Sequence, residues 1–147
     1  METDHLFTLE LSKVFSVKLE KMYRAWTNPD EIVKWWGPEG YTTTIEDFNL
    51  EEGGTYKFIM TPPEGDSRVL VGKYVEIIPN NKLVFTWKWD NSGQEFPETQ
   101  VTVEFFAERN GTELKLKHEL LPSQEAAEGH NMGWTSSLDD KLKKYLG

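Results

Sequence analysis

Between Thr42 and Leu120 the chain breaks into short segments of two-residue period, each closed by a turn signal, and this leaves few folds open. Thr42 to Leu50 runs into Gly53-Gly54, Thr55 to Thr61 ends in Pro62-Pro63-Glu64-Gly65-Asp66, and Arg68 to Ile78 turns at Pro79-Asn80-Asn81 into Leu83 to Trp89. A looser loop through Asn91-Ser92-Gly93 leads to Thr99 to Ala107. Asn110-Gly111, the strongest short hairpin signal, then joins that segment to Thr112 to Leu120. Connections this short join antiparallel neighbours, because parallel pairing needs a crossover of about a dozen residues or more. The spacing predicts an antiparallel meander.

Helical patterns flank it. Leu6 to Phe15 alternates as a strand, with Phe7, Leu9 and Leu11 on one face. Ser16 is the expected cap of a first short helix carrying Leu19, Met22, Tyr23 and Trp26. Asn28-Pro29-Asp30-Glu31 supplies a cap, a first-turn proline and a capping-box Glu for a second, which carries Ile32, Val33, Trp35 and Trp36 until Gly37-Pro38 stops it. Ser123 caps one last helix reaching roughly Leu146. At 100° per residue Ala127, Trp134, Leu138, Leu142 and Tyr145 share its face, beside a flank of Ala126, Gly129, Gly133 and Ser137. Glycine inside a helix costs about 1 kcal/mol relative to alanine. Either the helix backbone packs close against the sheet there, or space is left vacant.

Period-two reading assigns the inner faces: Tyr56, Phe58 and Met60; Leu83, Phe85, Trp87 and Trp89; Val101, Val103 and Phe105; and Leu114, Leu116, His118 and Leu120. On the strand before Leu83, Val69, Val71, Val75 and Ile77 read as inward, with Lys73 interrupting them either as a pocket polar group or, the plainer reading, near a bulge or sheet edge. A curved antiparallel sheet with two short helices and one long C-terminal helix is an α+β layer pair that can enclose an apolar cavity. The 147 residues are read as a single domain, 1–147.

Composition excludes several classes. Aromatics make up 13% of the chain, six of them Trp, so it is not disordered. No apolar run approaches the ~18 residues of a membrane span, and the acidic start Met1-Glu-Thr-Asp-His is no secretory signal, so a cytoplasmic location is expected. Sixteen basic against 25 acidic residues, a net charge of −9, argue against nucleic acid and membrane surfaces as partners. The absence of Cys removes disulfides, thiolate metal sites and a cysteine nucleophile. A monomer is expected.

His5 lies at the terminus. His118 points inward on its strand, and His130 falls within about 40° of Trp134 on the helix. The inward pair suits acid and base work or pocket hydrogen bonding; the plainer reading is a core histidine bonded to a backbone group or to Tyr. Two histidines without a third ligand, an HExxH or an Asp-rich loop predict no metal, and no cofactor is implied. There is no G-x-S-x-G elbow, and Gly53-Gly54 lacks the helix and Lys of a phosphate loop. No catalytic machine is recognisable, so the chain is read as a non-enzyme.

Arg24-Ala-Trp-Thr-Asn-Pro-Asp-Glu, Trp35-Trp36-Gly37-Pro38, Gly53-Gly54-Thr-Tyr and Gly133-Trp134-Thr-Ser-Ser-Leu-Asp stand in order along nearly the whole chain. Together they closely resemble the activator-of-heat-shock-protein-90-ATPase homologues, an Aha-type, START-like family. The resemblance implies a helix-grip fold of the birch-pollen-allergen type, in which the sheet wraps a C-terminal helix around a cavity. That superfamily includes lipid and hormone carriers, polyketide cyclases and a co-chaperone domain, so the fold alone selects no function.

Three functions follow as expectations. The first is non-catalytic binding of a small lipophilic or aromatic molecule between sheet and helix, in stress response or natural-product handling. Its pocket candidates are Trp35, Trp36, Tyr56, Phe58, Phe85 and Trp87, with Phe105, His118, His130, Gly133 and Trp134. Trp35 to Pro38 form a rim on this reading, against plain core packing for the two tryptophans. His118→Leu should then leave folding nearly intact and change ligand preference. The second is a co-chaperone module whose acidic face engages a chaperone. The third is a cyclase-like enzyme with His118 or His130 as base.

Overall fold

The computed structural model describes residues 6–90 and 97–146. His5 and the expected loop through Asn91-Ser92-Gly93 lie outside the described residues. Seven strands, β1 (Phe7–Phe15), β2 (Thr42–Phe48), β3 (Thr55–Thr61), β4 (Arg68–Ile78), β5 (Lys82–Trp89), β6 (Thr99–Glu108) and β7 (Gly111–Leu121), form one antiparallel sheet in the order β1-β7-β6-β5-β4-β3-β2. Consecutive strands from β2 to β7 are neighbours, as short turns require, and β1 closes the far edge against β7. Two short helices, α1 (Leu19–Thr27) and α2 (Pro29–Trp35), follow β1. The chain ends in α3 (Gln124–Ser136), a π-helical stretch (Ser137–Leu142) and a last α-turn, α4 (Lys143–Leu146). This is the α+β helix-grip arrangement.

The capping signals divide. Asn28 accepts the Asp30 amide at 2.9 Å with Pro29 at the first helical position, and Ser123 accepts the Ala126 amide at 3.0 Å. Ser16 caps nothing: α1 starts after Lys18, without a side-chain cap. Glu31 closes no capping box. Its carboxylate faces Arg24 at 3.7 Å and accepts the Tyr145 hydroxyl at 3.1 Å, tying α2 to α4.

Three inner-face assignments are corrected by local irregularities. On β4 the inner face is Arg68, Leu70, Gly72 and Tyr74, opposite Met60, Phe58 and Tyr56 on β3, while Lys73 and Val75 are exposed. A bulge between Tyr74 and Glu76 shifts the phase and returns Ile77 to the core side. Period-two reading fails here because both faces of β4 carry apolar residues. On β7, Leu120 adopts φ +67° beside an irregularity opposite Phe7 and Leu9, which turns it to solvent and buries Leu121. On the last helix Leu146, not Tyr145, is buried. The wider π winding keeps the four-residue series Trp134, Leu138, Leu142, Leu146 in phase where 100° per residue drifts away.

The core is aromatic. Trp36 packs on Trp26, Trp35, Phe58, Phe85, Trp87 and Trp134, with ring centroids 5.1 to 6.3 Å apart. Trp35 is fully buried and donates its indole N–H to the Ala25 carbonyl at 2.8 Å, so it is a core residue. Gly72 lets the Tyr56 ring lie across β4 and donate its hydroxyl to the Thr86 carbonyl. A Cβ at Gly72 would stand 2.6 Å from that ring and collide with the same carbonyl. Gly72→Ala is therefore expected to lower stability by about 1–3 kcal/mol despite alanine's stiffer backbone, measured by urea denaturation.

Candidate functional site

A cavity of about 910 Å³ opens at one corner of the sheet–helix interface. Its sheet wall is Met60, Arg68, Trp87, Trp89 and Thr99. Its helix wall is the small flank Ala126, Gly129, Gly133 and Ser137 together with His130 and Trp134, and Trp36, Gly37, Pro38 and Tyr41 form a third side. The helical glycines are explained by vacancy rather than by close packing. A Cβ on Gly129 would meet nothing within 4 Å, and one on Gly133 only Pro38, at 3.8 Å.

The third side is fastened. Lys141 donates to the carbonyls of Trp36 at 3.3 Å and Tyr41 at 2.9 Å, Thr43 donates to the Trp36 carbonyl, and the Glu39 amide donates to the Ser136 hydroxyl. Partial burial lowers the Lys141 pKa, and the Glu39 charge opposes this only in part. The sequence pattern showed Lys141 only as a charge in a basic last turn. In the fold it holds the rim of the cavity against the helix.

Below the cavity lies a buried polar relay. The Trp134 indole N–H donates to His118 Nδ1 at 3.1 Å, and His118 Nε2 lies 2.7 Å from the Thr99 hydroxyl, which donates to the Trp87 carbonyl at 3.1 Å. An indole can only donate, so Nδ1 holds the lone pair and the proton sits on Nε2, pointing at Thr99. Burial, with His130 nearby, pushes the His118 pKa down to about 2. His130 packs on His118 with ring centroids 4.4 Å apart, and burial and the Arg68 charge lower its pKa to about 4. Both imidazoles are neutral at pH 7, and His118 has no nitrogen left for a substrate. Among the described residues no three His, Asp or Glu side chains converge as a metal site.

Of the sequence candidates, Trp36, Trp87, His130, Gly133 and Trp134 meet at the cavity wall. Tyr56, Phe58, Phe85 and Phe105 are buried side chains of the core away from that wall, as is Trp35. His118 sits one layer behind it, through Thr99 and Trp134. Arg68 and Thr99 line the cavity and were not candidates. Arg68 merely begins a strand in the sequence, and Thr99 becomes notable only through register.

The family model for activator of Hsp90 ATPase homolog 1-like protein matches residues 16–147. The chain belongs to this family. A solved structure from Chromobacterium violaceum is 27% identical with a TM-score of 0.85, over 93% of this chain and 94% of that one. The AHSA1 protein of Silicibacter pomeroyi is 29% identical with a TM-score of 0.84, over 95% and 97%. No curated protein matches the chain. No helix among the described residues of this family member is long and apolar enough to cross a membrane.

The relay reverses the expectation for His118→Leu. Leucine strands the Trp134 N–H and removes the Thr99 partner, and each unsatisfied buried group costs about 1–3 kcal/mol. A loss of about 2–4 kcal/mol in urea denaturation is expected. The pH dependence has a definite sign. Both histidine pKa values fall on folding from 6.5, so the unfolded chain binds more protons below that pH. Their contribution to stability is full above pH 6.5 and is lost as pH falls toward about 4 for His130 and about 2 for His118. Each adds a limiting slope of about 1.4 kcal/mol per pH unit. Denaturation curves between pH 6.5 and 4.5 should therefore be flatter for His118→Leu than for the parent, by about one histidine's slope.

Proposed function

We propose that the chain binds a small lipophilic, aromatic molecule in the cavity between the sheet corner and α3, without transforming it. The vacant flank carries this reading. Two glycines weaken the helix by about 1 kcal/mol each, and the space they leave has a volume typical of small-molecule sites and is faced by Trp36, Trp87, Trp89 and Trp134. Flat indole faces favour flat apolar guests, through area burial and offset or edge-on ring contacts. A ligand-holding fold in this family supports the same reading. Binding rather than catalysis fits the histidines, since His118 spends both nitrogens on the relay and His130, with its pKa lowered to about 4, is a weak base packed against Trp87 and Trp89.

The test is an amide NMR titration with a panel of aromatic lipophiles. Saturable shifts should cluster on Trp36, Trp87, His130, Gly133 and Trp134, and a flat response across the panel sinks the proposal. Gly133→Leu supplies the control. Its side chain enters the cavity while helix propensity improves by about 0.8 kcal/mol, so the variant should be at least as stable as the parent and bind more than tenfold more weakly. Unfolding of Gly133→Leu, or unchanged affinity, counts against a vacant site.

A further inference from the structure

The character of the sheet wall goes beyond a preference for flat apolar guests. Arg68 lies on the inner face of β4 opposite Met60, at the end of the sheet, and its guanidinium sits over the Trp89 ring at 5.4 Å. Trp89 stacks in turn on His130, with an interplanar angle of 18° and centroids 6.4 Å apart. Arg68, Trp89 and His130 thus form a ladder along one side of the cavity. Most of the ion pairs among the described residues join neighbouring surface groups, such as Lys57 with Glu46 and Lys82 with Glu76. Arg68 has no carboxylate within 4.0 Å among the described residues. In a chain with 25 acidic residues against 16 basic ones, this guanidinium lines a largely apolar cavity.

The neighbouring polar groups are also donors. The Trp87 indole N–H is buried with no acceptor among the described residues, and a neutral His130 carries one N–H. Glu125, on the first turn of α3, is the acidic group that lines the cavity among the described residues, but the charge bearing on His130 is that of Arg68. A guanidinium lying on an indole face is weakly hydrated and keeps its planar fork free, so it can pair with an oxyanion at small desolvation cost.

Resting on the ligand-binding reading above, we propose that the site selects aromatic anions. The ring system would occupy the space between Trp36, Trp134 and the glycine flank. A carboxylate or similar oxyanion would be met by Arg68 at the open end of the Trp89–His130 stack.

A matched pair of probes tests this on the full chain: 2-naphthylacetate and 2-(2-naphthyl)ethanol, which share their ring system and differ in charge. Dissociation constants are read by NMR at fixed ionic strength for the parent, Arg68→Gln and Arg68→Glu. Arg68 is exposed and begins its strand, so both variants should keep the parent's melting temperature within a few degrees. The parent is expected to bind the acetate at least tenfold more tightly than the alcohol, with shifts at Trp89 and His130. Arg68→Gln should abolish the preference by weakening the acetate at least tenfold more than the alcohol, and Arg68→Glu should invert it. Equal affinities in the parent, a preference surviving in Arg68→Gln, or acetate shifts centred away from Trp89 and His130 would overturn the proposal and leave the aromatic-ligand reading standing. Failure of both probes to bind the parent overturns both.

Discussion

The Trp36 ring is the contact on which the molecule is organised. It is the first residue beyond α2, yet it touches indoles from α1, α2, β5 and α3 and phenyl rings from β3 and β5. All six tryptophans are connected through it and through the Trp87–Trp89 and Trp26–Trp35 pairs. Aromatic pairs of this kind contribute about 0.5–1.5 kcal/mol each beyond their area. Their larger effect is geometric, because rigid planar groups have few ways to interlock. Once Trp36 is seated, the two short helices, the sheet and the C-terminal helix have little freedom to slide, and the segment after it is committed to one side of the cavity.

Around that hub the polar groups act as fasteners. Lys141, Thr43 and Ser136 hold the Trp36–Tyr41 segment to the helix and sheet, and the Trp134–His118–Thr99 relay sets the orientation of the indole that floors the cavity. A buried histidine with both nitrogens satisfied works as a spacer of fixed geometry, and its depressed pKa is the consequence of its burial. His130 differs. It packs between aromatic rings at the cavity wall and feels the Arg68 charge, which makes it part of the cavity surface rather than of the scaffold.

Much of the fold was legible in the sequence. The turn signals predicted strands β2 to β7, alternation predicted β1, and Asn28-Pro29 and Ser123 marked helix starts that the structure reproduces. The misreadings have local causes. Lys18 starts α1 without the Ser16 hydroxyl. The bulge at Val75 and the left-handed Leu120 each shift a strand's phase by one position, and the π-helical stretch does the same for the last helix. A period carries no information about where it is interrupted. For the site, the glycine flank and His130, Trp87 and Trp134 were visible as inward residues. Nothing in the pattern separated those that fill the core, such as Phe58 and Phe105, from those that border the cavity.

The sequence by itself determined the element order, the antiparallel meander, the aromatic inner faces and the weakened flank of the last helix. These follow from local rules, namely turn chemistry, capping and periodicity, which act over a few residues. Only the tertiary structure decided that the flank borders open space, that His118 is spent in a relay with Trp134 and Thr99, and that Arg68 lies over Trp89 at the cavity. Those outcomes depend on register between strands and on the seating of Trp36. Register and packing join residues far apart in the chain, where no local pattern records the distance between them.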